Sequence, residues 1–194
     1  MSPIRPERIA ARVAVFAAAY LGLFALALWS GALIATERAL AAGAVRTMSA
    51  LGDPAIERRV EVSRMGAYVR YDFSVSSPQG PQQVAAKHPF HAQNLVLFAA
   101  LVLASPALTV RRRAAVLAAG LALIFALDTL IVVGDLVRAE DDVFHLGERN
   151  VWPALEALVG ALRYSQPTGG AFMAPVFVWG LLLGTRLLAR RSET

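Results

Sequence analysis

Residues Val13–Ala35 read VAVFAAAYLGLFALALWSGALIA, a run of 23 without one charged side chain. A helix crossing the hydrocarbon core of a bilayer needs about 20 such residues, each rising about 1.5 Å. Three more stretches reach or approach that length. Ala92–Val110 gives 19 residues, with Gln93 and Asn94 near its start and Pro106 near its end. Ala114–Gly134 gives 21, interrupted by Asp128. Gly170–Thr185 gives 16, extending to Ala189 if Arg186 snorkels along its aliphatic stem. Small residues follow the first run, as in a secretory signal. Its apolar core exceeds the roughly 7–15 residues of such signals, and three more runs follow, so it reads as an uncleaved anchor.

Composition agrees. Of 194 residues 57% are hydrophobic and 17% charged, against about 25% charged in an ordinary soluble domain. Such a chain is not disordered, and a mean hydropathy of +0.53 leaves a soluble fold too little polar surface. The absence of cysteine excludes disulfides, thiolate nucleophiles and iron–sulfur clusters. The expected fold is therefore an all-α integral membrane protein with four transmembrane helices.

Orientation follows from the arginines. Arg5, Arg8 and Arg12 precede the first run, Arg111–Arg113 separate the second and third, and Arg186, Arg190 and Arg191 follow the fourth. If these segments are cytoplasmic, they hold nine basic residues against Glu7 and Glu193, a balance of +7, which the outside segments (−1) and Asp128 (−1) reduce to the formal net charge of +5. The positive-inside rule therefore explains a basicity that would otherwise suggest nucleic acid, and no nucleic-acid partner is expected. Both terminal segments are expected in the cytoplasm of a bacterium, the chain being a multi-pass protein of the inner membrane. The organisation is then 1–35 (N-terminus and first helix), 36–91 (outside), 92–134 (helical hairpin), 135–169 (outside) and 170–194 (fourth helix and tail).

In the first outside segment Leu40, Ala44, Met48 and Leu51 recur at helical spacing, continuing the first helix until Asp53-Pro54 stops it. The period then changes to two. Val60 and Val62 alternate with Glu61 and Ser63, and Ala67, Val69, Tyr71, Phe73 and Val75 alternate with polar neighbours. With Met65-Gly66 between the runs this predicts a small extracytoplasmic β-hairpin. Ser77–Gln83 reads as a polar linker. In the second outside segment Asn150 caps an interfacial helix with Trp152, Leu155, Leu158, Val159 and Leu162 on one stripe, ending at Tyr164.

No catalytic signature is present: there is no nucleophile elbow, zinc-protease helix, phosphate-binding glycine loop or dinucleotide fingerprint. No catalytic residue, cofactor or metal is expected. His88, His91 and His145 fall on the outer side with the Glu140–Asp142 cluster. A divalent-metal site there lacks a spacing that fixes a third ligand, and ordinary interfacial polar residues are the simpler reading. Asp128 stands out, because an ionisable group inside a span costs roughly 2.5–3.5 kcal/mol on insertion scales. Counting helical rise from the Arg111–Arg113 turn places Asn94 within about 3 Å of its height. Asn94 or Gln93 is expected to meet Asp128, a polar pair that clasps the second and third helices, more simply than one that conducts ions. Gly180 and Gly184 form a GxxxG for helix packing, Ala114, Ala118, Ala119 and Gly120 offer another small surface, and Pro106 and Pro175 are candidate kinks.

Two segments carry a resemblance: His88–Pro106, reading HPFHAQNLVLFAALVLASP, and Gln166–Trp179, reading QPTGGAFMAPVFVW. With a long first span and an outside β segment, they resemble the exosortase-associated membrane proteins, the exosortase H-associated type in particular. That resemblance implies a non-enzymatic accessory or scaffold, its partners being the lipid bilayer and an exosortase-like membrane protein of a protein-sorting system. The alternative of another class is a small membrane enzyme or transporter subunit working around Asp128.

Overall fold

The computed structural model describes residues 6–51, 56–66, 68–77, 80–105, 108–144 and 173–191. The elements run α1 (Pro6–Trp29), α2 (Ala32–Leu51), β1 (Glu57–Met65), β2 (Tyr68–Ser77), β3 (Gly80–Pro89), α3 (Ala92–Ala104), α4 (Val110–Phe144) and α5 (Met173–Arg191). They fall into two units. The first is Met1–Ser30, Gln93–Ile124 and Phe172–Thr194; the second is Gly31–Ala92 and Phe125–Ala171. The expected interfacial helix over Trp152–Arg163 lies outside the described residues, as do Asp53-Pro54 and His145.

In the first unit, Ala10–Trp29 and, continuing into the second, Val110–Glu140 are long and apolar enough to cross a membrane by length and composition. Among the described residues nothing covers the apolar part of α1: Leu21 is 64% exposed and Trp29 88%. Contiguous apolar surface of that extent calls for lipid or protein around it. The second run is shorter as a helix than its sequence suggested. Helix α3 has 13 residues, about 20 Å, because it ends before Ser105-Pro106, where proline's missing N–H and its clash with the preceding residue disfavour helix. Helix α5 has 19 residues, and among the described residues its apolar stretch is Met173–Leu183. Pro175 is its third residue, in the first turn, where a proline leaves no intrahelical bond unmade, so it makes no kink there.

Ser105 ties this unit together. Its carbonyl accepts from Arg113 Nη2 at 2.9 Å and its hydroxyl from Trp179 Nε1 at 3.0 Å. Arg113 thus satisfies a carbonyl just past the end of α3. Of Ala114, Ala118, Ala119 and Gly120, the three alanines are exposed and only Gly120 is buried. It is needed for close approach: a Cβ there would lie 1.9 Å from Cζ of the fully buried Phe98. Gly120→Ala should destabilise by about 1–3 kcal/mol through overpacking. Adding Phe98→Leu should recover most of that loss in a thermal denaturation series; equal melting of wild type and Gly120→Ala would refute the packing. Gly180, by contrast, has open space where its Cβ would stand.

In the second unit a helix packs on a sheet. The first helix does not run on into α2: Gly31, at φ +73°, breaks it, a conformation glycine adopts without the usual steric cost. Helix α2 buries Leu33, Glu37, Leu40, Ala41, Ala44 and Met48, while Leu51, expected on that stripe, is 73% exposed. The sheet is antiparallel in order β1-β2-β3. Its turn at Gly66, φ +63°, follows the Met65↔Tyr68 pair. Val69, Tyr71, Phe73 and Val75 are all buried, in the alternation the sequence displays. The hairpin is however only two thirds of the sheet: Gly80–Pro89, read as linker and lead-in, is a third strand paired along β2 from Ser77↔Gly80 to Tyr68↔Pro89. Pro81 and Pro89 suit an edge strand, where one side needs no ladder bond.

Candidate functional site

The polar constellation of the second unit begins with Glu37. It sits on the inward stripe of α2, fully buried, three residues before Leu40, so its carboxylate is carried among apolar side chains toward the sheet. Strand β2 brings Tyr71 to the same place, its inward register pointing the ring at the core and its hydroxyl at the carboxylate. The Tyr71 hydroxyl donates to Glu37 Oε2 in a short hydrogen bond. Glu37 Oε1 accepts from the backbone N–H of Ala92 at 2.8 Å. Ala92 opens α3, so the carboxylate also meets the positive end of a helix. His91 completes the group, with Nδ1 3.3 Å from both Glu37 Oε2 and the Tyr71 oxygen.

Electrostatics lock these roles. Burial, the charge of Glu37, its hydrogen bond and the charge of Asp128 all push the Tyr71 phenol upward, so it remains an O–H donor. For His91, burial alone would depress the imidazole below its ordinary 6.5; the hydrogen bond and charge of Glu37, with that of Asp128, overcome this and leave it raised. A raised imidazole stabilises the fold fully below the unfolded value near 6.5, and that contribution disappears as pH rises through the higher folded value. Unfolding free energy measured across pH 5–9 should therefore fall on the alkaline side of 6.5, and His91→Gln should flatten that slope. An unchanged slope in the variant would show that His91 does not titrate with folding.

A second polar contact lies in the same unit. Arg58 on β1 and Glu140 on α4 are each 6% exposed. Their contact is two-pronged, Nε to Oε1 at 2.5 Å and Nη2 to Oε2 at 3.2 Å, while Nη1 donates to the Ile56 carbonyl at 3.0 Å. Asp128 and Asp135, two helical turns apart on α4, are 2% and 4% exposed.

Among the residues expected from sequence, Asp128 lies in the second unit and its charge reaches Tyr71 and His91. Asn94 is 6% exposed and belongs to the first unit. His91 is not an exposed outer-face residue: it is 4% exposed and bonded within the protein. His88 lies in β3, its backbone opposite Val69. Among the described residues no group of three metal-ligating side chains converges. Glu37, Tyr71 and the Arg58–Glu140 pair were not singled out by sequence. One signal was available for the first, a lone carboxylate on an apolar helical stripe.

A carboxylate that orients an imidazole beside a phenol has the parts for moving a proton. Here, however, Glu37 and Tyr71 are 0% exposed, so no substrate atom reaches them without local opening. What the group does as it stands is fasten α2, β2 and the start of α3 at one point. Comparison with protein-family models, curated proteins and solved structures finds no match to the chain.

Proposed function

We propose that the chain is a non-enzymatic accessory of a bacterial inner-membrane protein-sorting system of the exosortase type. It crosses the bilayer four times with both terminal segments in the cytoplasm, and the sheet and α2 form an extracytoplasmic head. The observation that carries the non-enzymatic reading is the closure of the Glu37–Tyr71–His91 group, whose hydrogen bonds are spent on the fold. The arginines flanking the apolar runs support the orientation. For α3, at about 20 Å against roughly 30 Å of hydrocarbon, a crossing requires local thinning of the bilayer, and its end at Ser105 is satisfied by Arg113 rather than by lipid. The sheet's outward face, with Glu61, Arg70 and Asp72, supplies a polar docking surface. Affinity capture of the full chain from native membranes in mild detergent should recover a transpeptidase-like sorting protein; recovery of no such protein overturns the reading.

One observation favours the second reading, a small enzyme or transporter subunit around Asp128: this carboxyl is only 2% exposed within a long apolar helix. Asp128→Asn separates the two. Sorting that persists at normal protein level supports the accessory, and sorting abolished at normal level supports the polar site.

A further inference from the structure

We propose that the groove between α2 and β1 is a binding site for the phosphodiester headgroup of an anionic phospholipid. The groove has a volume of about 370 Å³, within the range of small-ligand sites. Arg38 and Arg46 stand along its α2 wall and Arg59 at its β1 wall, while Ala42, Val45 and Val60 form part of an apolar floor. Arg38, Ala42 and Arg46 succeed one another at four-residue steps, which brings the two guanidinium groups to the same face of the helix, two turns apart. Both arginines are exposed and, among the described residues, neither makes an ion pair. Arg59 is bridged to Glu57 at 2.6 Å, but that pair is 76% and 64% exposed and so weak enough to be exchanged for a stronger anion.

Guanidinium groups match phosphate oxygens two at a time, which a single lysine ammonium cannot do. An apolar floor between such groups suits a ligand that is anionic at one end and hydrocarbon at the other. Free phosphate would meet the arginines and leave the alanine and valine surface wet. Position in the chain agrees: Arg38 follows Trp29, the exposed last residue of the long apolar helix α1, by only nine residues. When α1 crosses the bilayer, a residue that close is held near the headgroup layer. The site rests on the proposed placement of α2 at the outer membrane surface.

The test uses the full chain in a zwitterionic detergent, with dihexanoyl phosphatidylglycerol as the probe. The lipid should raise the melting temperature in a saturable way, and Arg38→Gln with Arg46→Gln should weaken its apparent affinity by about tenfold or more. Melting of the double variant without lipid should equal that of wild type, since both side chains are at the surface. Dihexanoyl phosphatidylcholine should produce no such shift. An equal shift from phosphatidylcholine, an equal shift from inorganic phosphate, or an unaltered affinity in the double variant each overturns the proposal. Placement is read separately by labelling Ser63→Cys, an exposed position on β1, with a membrane-impermeant maleimide. Labelling only after the membrane is opened from the cytoplasmic side would refute the topology, whatever the lipid titration gives.

Discussion

Glu37→Ala should lower the stability of the sheet-bearing unit by about 3–5 kcal/mol, as removal of one member of a buried charged contact does. Three contacts of the carboxylate are lost together, those with the Tyr71 hydroxyl, the Ala92 N–H and the His91 ring. The site is buried, and a buried hydrogen bond left unmade costs about 1–3 kcal/mol. Glu37→Gln should cost less, because one carbonyl oxygen still accepts, while the charge that holds the imidazole raised is gone. Hydrogen exchange along β2, measured in detergent, reads the effect where it is made. Protection of the Tyr71 and Phe73 amides should collapse in the alanine variant and weaken in the glutamine variant. Wild-type protection in the alanine variant would mean that Glu37 fastens nothing.

Arg58→Met is the second large effect. It strands the Glu140 carboxylate at 6% exposure with its two-pronged donor removed. The expected loss is again about 3–5 kcal/mol, most of it the penalty of an uncompensated buried charge rather than the value of the bond. The double variant Arg58→Met with Glu140→Leu removes the stranded charge and should regain most of the loss. A urea titration of the four proteins closes the cycle. Additive losses in the double variant would show that the two side chains are energetically independent despite their geometry. The exposed Arg59–Glu57 pair, two residues along the same strand, should by contrast contribute under about 1 kcal/mol.

Where hydrophobic spacing is regular, the structure was legible from sequence. Val69, Tyr71, Phe73 and Val75 alternate over one strand and are all buried; Leu40, Ala44 and Met48 mark the inward stripe of α2. The third strand was not legible because β3 owes its form to its neighbour. Gln82, Gln83, Ala85 and Ala86 carry little preference of their own, and the β2 ladder supplies the hydrogen bonds that make them a strand. Nor was the break at Gly31, since one glycine inside an apolar run reads as helix until its φ is known. The polar group was hidden for a similar reason. Glu37, Tyr71 and His91 lie 34 and 20 residues apart in sequence, so no local spacing announces them. Helical rise gives Asp128 a height along its axis, but height carries no information on rotation, and rotation decides which neighbour a side chain meets.

The hydrogen bond from the Ala92 N–H to Glu37 spans 55 residues of chain and joins the doorway through which the three strands leave to the one through which they return. A segment that departs and comes home at one point can be lengthened, shortened or exchanged without moving what it is mounted on. A foreign antiparallel meander grafted in place of the three strands would therefore need a phenol where Tyr71 now stands and a guanidinium where Arg58 meets Glu140, as well as an apolar face for α2.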